Sequence, residues 1–329
     1  MYNFIFCYYG VLTILTQLVA FRELAVLFYG SELFLGTFLS SWLFWVGLGS
    51  LLARRLLNNE KAAAAYFSYA FLAVSLFFPA MILLIRASKG AFAFGEFIGP
   101  VGMVLYTFCI MSVLCFVIGA QFSLACAIAS DKVRKSSALG RVYLYEALGA
   151  VTGGVLFTYI LIGAVPTFII ALTLSFGCIF IGLALLIKKI SFVKVLLIAA
   201  ALSILFVNFK IEPAINRIEW KRYQFIERKE TRNDTLSLVN MGSIKNVFVD
   251  GMLSASFPNP EGYEGPAHWP LLASAEPRRI LIIGNRSLGL LKEAVKHSPQ
   301  RIDYVVLDDS FLKMVRPYLE DEDISALKH

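Results

Sequence analysis

Charged side chains are scarce in this sequence, and their scarcity excludes an ordinary soluble protein. Only 16% of the 329 residues are charged, while 58% are hydrophobic and the mean hydropathy is +0.71. Soluble domains carry about 25% charged and about 45–50% apolar residues. We therefore expect a large part of this chain to lie in lipid.

Cysteine pairs and histidine clusters are also missing. The five cysteines fall in apolar stretches, with no Cys-x-x-Cys pair and no histidine nearby: Cys7, Cys109, Cys115, Cys126 and Cys178. This pattern excludes a disulfide framework and a structural zinc site. We expect the cysteines to be small buried apolar residues, and we expect no metal.

The charge that is present is unevenly distributed. Up to Phe209 the sequence has 13 Lys and Arg against 6 Asp and Glu, whereas from Lys210 onward it has 17 of each. The net charge of +7 therefore belongs to the apolar part, where basic residues in short loops orient a protein in a bilayer. The pI near 9.1 consequently does not indicate a nucleic-acid partner.

Apolar runs follow one another up to Phe209. A hydrocarbon core about 30 Å thick needs roughly 20 helical residues. We place seven such runs, of which the last two are separated only by two lysines: residues 3–28, 33–53, 62–86, 101–127, 142–165, 167–187 and 190–208. The first is too long and too aromatic for a cleaved signal peptide, so we expect a transmembrane domain over residues 1–209 with about seven helices.

Among the charged residues inside these runs, we single out Arg22, Glu23 and Glu146. A charge within a span is costly unless it is paired or reaches the interface, so such residues are functional candidates. Arg22 and Glu23 are either functional or close enough to the helix end to reach the surface. Glu146 is either a proton or ion relay or the partner of a base such as Arg141 or Arg22.

Glycines in the fifth run indicate a close helix contact. Gly149 and Gly153 are four residues apart and share one helix face. Small residues at this spacing let two helix backbones approach each other closely.

The loop charges predict an orientation. The loops after the second, fourth and sixth runs carry most of the basic residues: Arg54, Arg55, Lys61, Lys132, Arg134, Lys135, Arg141, Lys188 and Lys189. The other loops carry Arg86 and Lys89, offset by Glu32 and Glu96. We therefore expect an inner-membrane protein with a cytoplasmic N-terminus. Seven full spans would place the C-terminal region outside the cytoplasm, and six would place it inside.

Beyond Phe209 the composition becomes polar, and residues 210–277 predict a small β-rich subdomain. Residues 235–239 and 246–249 have the pattern of strands joined by a turn at Gly242, and Asp250-Gly251 forms the next turn signal. A Pro- and Gly-rich loop, FPNPEGYEGPAHWPLLASAEP, follows.

Residues 278–329 begin with a β-α-β pattern. A short apolar run stops at Gly284, a helical pattern follows, and a second apolar run ends in Asp308-Asp309. In nucleotide-binding folds a glycine at the first turn admits the ligand and an acid at the second strand tip binds ribose hydroxyls. An isolated unit of this kind is also compatible with ordinary parallel-sheet core that binds no ligand.

Several stretches resemble the membrane-anchored spermidine synthase-like proteins, in which a multi-span region precedes an aminopropyltransferase domain. FRELAVLFYGSELFLGTFLSSWLFWVGLGSLL is similar to the family's first two spans and GRVYLYEALGAVTGGVLF to its fifth. VFVDGMLSASFPNPEGYEGPAHWPLL is similar to the passage from the β subdomain into the family's gate loop. The resemblance implies a polytopic α-helical membrane domain, a small β subdomain and a Rossmann-like α/β unit.

The family transfers an aminopropyl group from decarboxylated S-adenosylmethionine to putrescine. The resemblance therefore implies these two ligands, with no covalently bound cofactor. Its chemistry needs a nucleoside pocket and carboxylates that hold and deprotonate the diamine. Matched residue by residue, it implies six site residues: Gly284, Ser287, Gly289 and Asp308 for the adenosyl group, and Glu264 and His268 for the diamine.

The sequence departs from the family within this site. The family's GGGDGG-type loop reads GNRSLG here, so Ser287 replaces an aspartate, and Val306 stands where the family has a glutamate. The family's catalytic aspartate follows a later strand, which we expect beyond His329. We therefore expect a truncated, incomplete Rossmann-like unit with impaired or absent activity, whose sheet a second copy or another chain completes.

A different class of function is compatible with the same membrane residues. A transporter-like or scaffold protein without catalysis would use Arg22, Glu23 and Glu146 to line an internal site. The enzyme hypothesis depends on the C-terminal region, and this alternative depends on the spans.

Overall fold

The computed structural model describes residues 2–56, 60–90, 98–130, 135–186, 213–258, 260–284, 288–306, 309–319 and 321–327. Contacts divide the chain into two units, Met1–Lys221 and Arg222–His329, called here the helical unit and the C-terminal unit. The division falls after Lys221, whereas the composition of the sequence changes at Phe209.

The apolar runs form long helices in the described part of the helical unit: α1 (Tyr2–Leu27), α2 (Glu32–Ala53), α3 (Glu60–Lys89), α4 (Pro100–Ser130), α5 (Lys135–Leu156) and α6 (Thr167–Leu186). A π-helical turn, Phe157–Leu161, extends α5. All six contain a stretch long and apolar enough to cross a membrane. The predicted seventh run, 190–208, lies outside the described residues.

Small residues bring α1 and α5 into backbone contact. A Cβ atom on Gly10 would clash with the carbonyl oxygen of Glu146, and one on Gly149 would clash with the carbonyl oxygen of Cys7. Gly153 lies against α1 on the same face of α5. The close approach predicted from the spacing of Gly149 and Gly153 is confirmed.

The pair formed by α2 and α4 is packed in the same way. A Cβ atom on Gly49 would clash with the Phe116 carbonyl oxygen, and one on Gly119 with that of Val46. Hydrogen bonds join the same two helix faces, whose contact we call the seam. They run from Trp45 Nε1 to Phe108 O at 2.8 Å, from Ser41 Oγ to Thr107 O at 3.4 Å and from Ser123 Oγ to Ser50 O at 2.8 Å. Residue numbers rise together along the seam, so α2 and α4 run parallel.

Helices α3 and α6 run antiparallel. Gly182, late in α6, lies against Ser68 and Leu72, early in α3. Thr167, at the start of α6, accepts a hydrogen bond from Arg86, near the end of α3. Residues 213–219 form a further helix, α7, which also belongs to the helical unit.

The C-terminal unit begins with a four-stranded antiparallel meander: β1 (Gln224–Glu230), β2 (Thr235–Met241), β3 (Ile244–Val249) and β4 (Met252–Phe257). Both strands expected from the sequence are present as β2 and β3. Gly242 has φ +68° in the turn between them, a conformation that favours glycine. The buried side of the meander packs on later elements of the unit through Leu238 and Val247.

The predicted Pro-rich loop is instead largely helical, and this expectation was wrong. Residues Pro260–Leu272 form α8, although Pro266 and Pro270 lie inside it. Each internal proline removes one backbone hydrogen bond. Packing of α8 against the following helix supplies the stabilisation that local propensity lacks, with Ala267 buried and Leu271 in a small apolar core.

A parallel pair of strands completes the described sheet structure. Strands β5 (Arg279–Ile283) and β6 (Arg301–Val305) are joined through α9 (Leu288–Val295), as the sequence predicted. Short elements follow, namely α10 (Ser310–Val315), a 3₁₀ turn (Arg316–Tyr318) and α11 (Asp321–Ala326). One face of the pair stays open, since Leu281, Ile283 and Val305 are at least half exposed.

Candidate functional site

A buried ion pair joins three helices of the helical unit. Arg86 of α3 contacts both carboxylate oxygens of Glu23 in α1, with Nη2 to Oε1 at 2.6 Å and Nε to Oε2 at 3.0 Å. Thr167 of α6 donates a hydrogen bond to the same carboxylate, and the guanidinium lies 5.8 Å from the Phe168 ring centre. Both charged side chains are 2% exposed, so their charges are neutralised by each other rather than by water.

A second buried pair lies one helical turn further along α3. Lys89 Nζ is 3.0 Å from Glu219 Oε1 and 5.3 Å from the ring centre of Trp220, which is fully buried. The prediction that Arg86 and Lys89 are loop charges was wrong. Both residues lie inside α3 because each has an acidic partner that offsets the cost of burial.

The other two charged candidates of the helical unit, Glu146 and Arg22, lie in different surroundings. Glu146 is half-buried on α5, close enough to Tyr9 of α1 and Cys126 of α4 to interact electrostatically with both. Within the described ranges it forms no ion pair with Arg141 or Arg22. Arg22 is half-buried and directly precedes Glu23 in the sequence, and both carboxylate oxygens of Glu23 are already bound. The residues of the two ion pairs therefore do not form a single site with Glu146.

In the C-terminal unit, the candidate adenosyl site is at the carboxyl end of β5. Gly284 ends the strand with φ +133°, a region that L side chains rarely adopt, and its N–H donates to Val305 O at 2.9 Å. The turn predicted at this glycine is thus present. Ser287 and Asp308 lie outside the described residues.

Two tyrosines occupy the space beside the first turn of α9. The ring of Tyr263, from α8, lies so close to Gly289 that a Cβ atom there would clash with it. Burial, with a smaller effect of the nearby Tyr263, raises the pKa of Tyr304 to about 12. The Tyr304 hydroxyl is buried without a hydrogen-bond partner among the described residues, so it remains a neutral donor at physiological pH.

The two residues proposed for the diamine lie one helical turn apart on α8 but differ in their surroundings. His268 Nδ1 is 2.7 Å from His297 Nε2, and His268 Nε2 is 3.0 Å from Glu293 Oε2. Glu293 is 3% exposed and also accepts hydrogen bonds from Lys296. Both ring nitrogens of His268 are therefore engaged between α8 and α9, while Glu264 faces solvent one turn earlier.

Near the tip of β6, the structure describes one acidic residue, Asp309. Its carboxylate is 2.6 Å from Lys313 Nζ, and this hydrogen bond lowers the pKa of Asp309. No group of three or more His, Cys, Asp or Glu side chains suited to a metal ion is found within the described ranges.

Sequence reasoning missed several residues that shape these sites. Tyr263 and Glu293 lie on helices that carry predicted site residues, and His297 follows the second of these helices, yet nothing in their local sequence indicates a contact. The sequence did indicate that Glu23 has a basic partner such as Arg86, because a buried Glu23 requires a base at the same depth of the bundle.

An apolar groove lies on the open side of β5. It has a volume of about 290 Å³ and is bounded by α8, β5 and α9, with Pro266, Pro270, Ile280 and Leu290 among its lining residues. None of the described residues that line the groove is charged, so this lining does not suit a diamine.

The structure thus defines a chain with six described helices apolar enough to cross a membrane, followed by a small sheet and a β-α-β unit. Residues 264–329 match the family model of the spermine/spermidine synthase domain. This stretch runs from within α8 to the end of the chain and includes Glu264, His268, Gly284 and Gly289. No curated protein and no solved structure matches the chain.

Proposed function

We propose that this is a multi-pass inner-membrane protein with a spermidine synthase-like, Rossmann-like C-terminal unit. The assignment of the C-terminal unit rests on the match of residues 264–329 to the spermine/spermidine synthase domain. The assignment of the helical unit to a membrane rests on the six apolar helices and on their exposed apolar side chains. On α5 alone, Leu144, Val151 and Ile160 are 56%, 67% and 60% exposed, a surface suited to lipid rather than water.

The related chemistry defines what a working site must do. The lone pair of a putrescine amine attacks the carbon next to the sulfonium of decarboxylated S-adenosylmethionine. The carbon–sulfur bond breaks, its electrons return to sulfur to give a neutral thioether, and the amine loses a proton to a carboxylate. The site must therefore cradle the adenosyl group and keep a carboxylate beside the amine.

The local structure supports adenosyl binding better than transfer. Gly284 forms the turn through which a nucleoside could approach the backbone. In contrast, His268, which the resemblance assigns to the diamine, is held by Glu293 and His297. Tyr263 covers Gly289, so the adenosyl site is weakened as well. We therefore propose that this chain retains a weak adenosyl site and that its aminopropyl transfer is impaired or absent.

A matched pair of glycine variants tests this proposal on the full chain purified in detergent. We expect decarboxylated S-adenosylmethionine to bind saturably in calorimetry. Gly284→Ala should weaken binding roughly tenfold, because relief of a strain of about 1–3 kcal/mol moves the turn away from the conformation that binds. Gly242→Ala is the control, because it also places an alanine at positive φ, in the β2–β3 turn with open space around it.

Two results would contradict the proposal. Equal loss of affinity in Gly284→Ala and Gly242→Ala, or no binding to the wild-type chain, would exclude an adenosyl site at Gly284. Spermidine formation from putrescine by the wild-type chain, followed by mass spectrometry and abolished by Gly284→Ala, would exclude impaired transfer.

The transporter-like alternative retains one supporting observation. Glu146 carries no ion-pair partner among the described residues and lies between three helices of the bundle. If the helical unit couples protons to amine transport, putrescine added to proteoliposomes should change the internal pH, and Glu146→Gln should abolish that change. The exposed Glu32→Gln is the control. No pH change with the wild-type protein would leave this alternative without support.

A further inference from the structure

Helix α8 is weak by itself. Pro266 and Pro270 lie inside it, and each removes a backbone hydrogen bond of the helix. Gly262 and Gly265 lower its helix propensity further. An isolated helix of 13 residues is marginal even with a favourable sequence. Contacts with other elements of the C-terminal unit therefore decide whether α8 is formed.

Side chains of α8 meet α9 at two places. Early in α8, the ring of Tyr263 lies against Gly289 in the first turn of α9. Later in α8, His268 contacts Glu293 in the last turn of α9 and His297 just beyond that helix. The second contact is made by groups that gain or lose protons, so its strength can depend on pH.

The two histidines need one donor and one acceptor between them. His268 Nδ1 lies 2.7 Å from His297 Nε2, a distance at which one nitrogen donates and the other accepts. His268 Nε2 lies 3.0 Å from Glu293 Oε2 and donates to this carboxylate. With both rings neutral, His297 donates to His268. One added proton, on either ring, still leaves a donor facing an acceptor.

A second proton breaks this arrangement. When both rings are protonated, every ring nitrogen carries a hydrogen, so Nδ1–H of His268 points at Nε2–H of His297. The two positive rings, whose centres are 4.9 Å apart, also repel each other. Glu293 is buried, but it already accepts hydrogen bonds from Lys296 and therefore does not balance both charges. The two rings must then separate.

The surrounding charges do not offset the second proton. His297 follows the C-terminus of α9, where the helix dipole favours a first positive charge on this ring. Helix α11 packs on the same helix through Ala326, and β5 lies beside α8 and α9 at the apolar groove. Exposed charges are screened by water and salt. The further described charged residues of these elements are mostly exposed: Glu264 of α8, Lys292 of α9 (half-buried), Arg279 of β5 and Asp321 of α11.

We propose that His268 and His297 form a proton-dependent latch between α8 and α9. The latch is closed while no more than one ring is protonated, and it opens when both rings are, in the range of about pH 5 to 8 where histidine changes charge. Opening releases α8, which carries Tyr263 away from Gly289 and uncovers the first turn of α9. The latch acts in the protein without ligand, so it does not depend on the adenosyl binding proposed above.

Hydrogen–deuterium exchange with mass spectrometry tests the latch on the full chain in detergent. The protection of α8 is compared with that of β2 and β3 at about pH 8 and about pH 5, after correction for the intrinsic exchange rate. His297→Gln is the informative variant, because an amide group can donate to His268 or accept from it and gains no proton. His268→Gln is a second variant that removes the other ring. His329→Gln removes the third histidine of the sequence and is the control.

At the lower pH we expect the wild type and His329→Gln to lose α8 protection about tenfold, because free histidine is mostly charged there, while β2 and β3 keep theirs. At least one of His297→Gln and His268→Gln should keep its α8 protection. Unchanged α8 protection in the wild type would overturn the proposal, and so would losses in both variants equal to that of the wild type. Equal losses in α8 and in β2 and β3 would show that acid unfolds the whole unit, and this result would also overturn the latch.

Discussion

Replacing Glu23 by glutamine is expected to be among the most destabilising single changes in the chain. The substitution keeps the shape of the side chain but leaves the Arg86 guanidinium buried at 2% exposure without its counter-charge. Breaking one partner of a buried ion pair costs about 3–5 kcal/mol. We expect a large fall in the thermal unfolding midpoint of the purified protein in detergent, measured by loss of the monodisperse species.

Two further variants separate the ion pair from other effects of charge removal. Glu32→Gln removes the same charge from an exposed position at the start of α2 and should change stability by no more than about 0.5 kcal/mol. Glu23→Leu combined with Arg86→Leu removes both charges and should recover part of the loss, because no unpaired charge remains. If Glu23→Gln behaves like Glu32→Gln, the pair does not stabilise the bundle.

The ion pair also shows what the sequence could not predict. Glu23 was recognisable as an intramembrane charge, but its partner is 63 positions away and was assigned to a loop. The hydropathy pattern ended this span at Arg86, whereas a charge with a buried partner can remain inside the helix, which continues to Lys89. The residues at which α3 and α7 end could therefore not be predicted from the local sequence.

Contacts and elements that depend on the spacing of a few neighbouring residues could be predicted better from the sequence. Gly149 and Gly153 were identified by their spacing alone, and both lie against α1. The β2–β3 hairpin and the β5-α9-β6 order also follow from patterns of a few neighbouring residues. The helix α8 was missed because its two internal prolines oppose a helix locally, and only contacts with α9 offset them.

At the candidate site, the turn glycine was predictable and the side-chain partners were not. Gly284 ends an apolar run, and the structure gives it the φ value that favours glycine. The engagement of His268 with Glu293 and His297 depends on how α8 packs on α9, which no local pattern records. The family resemblance placed His268 in a diamine site, and that role stays a prediction.

The second large effect is expected at the contact between α2 and α4. A valine at Gly49 would place Cβ against the carbonyl oxygen of Phe116, which belongs to the backbone and cannot rotate away. The helices must separate, and the contact between Gly119 and Val46 on the same seam opens with them. We expect a cost of about 3 kcal/mol, the upper end of typical overpacking, seen as a lower unfolding midpoint in detergent.

Gly47→Val is the control that distinguishes this contact from a general effect of valine on a helix. Gly47 lies on the same helix, and a Cβ atom there meets no other atom within 4 Å. Valine at this position therefore keeps the seam intact and adds apolar surface that lipid accepts, and it should leave the midpoint unchanged or raise it. Equal loss of stability in the two variants would mean that α2 and α4 are not held by backbone contact. A selective loss in Gly49→Val would show that the glycine seam, rather than apolar composition, determines which helices of the bundle pair.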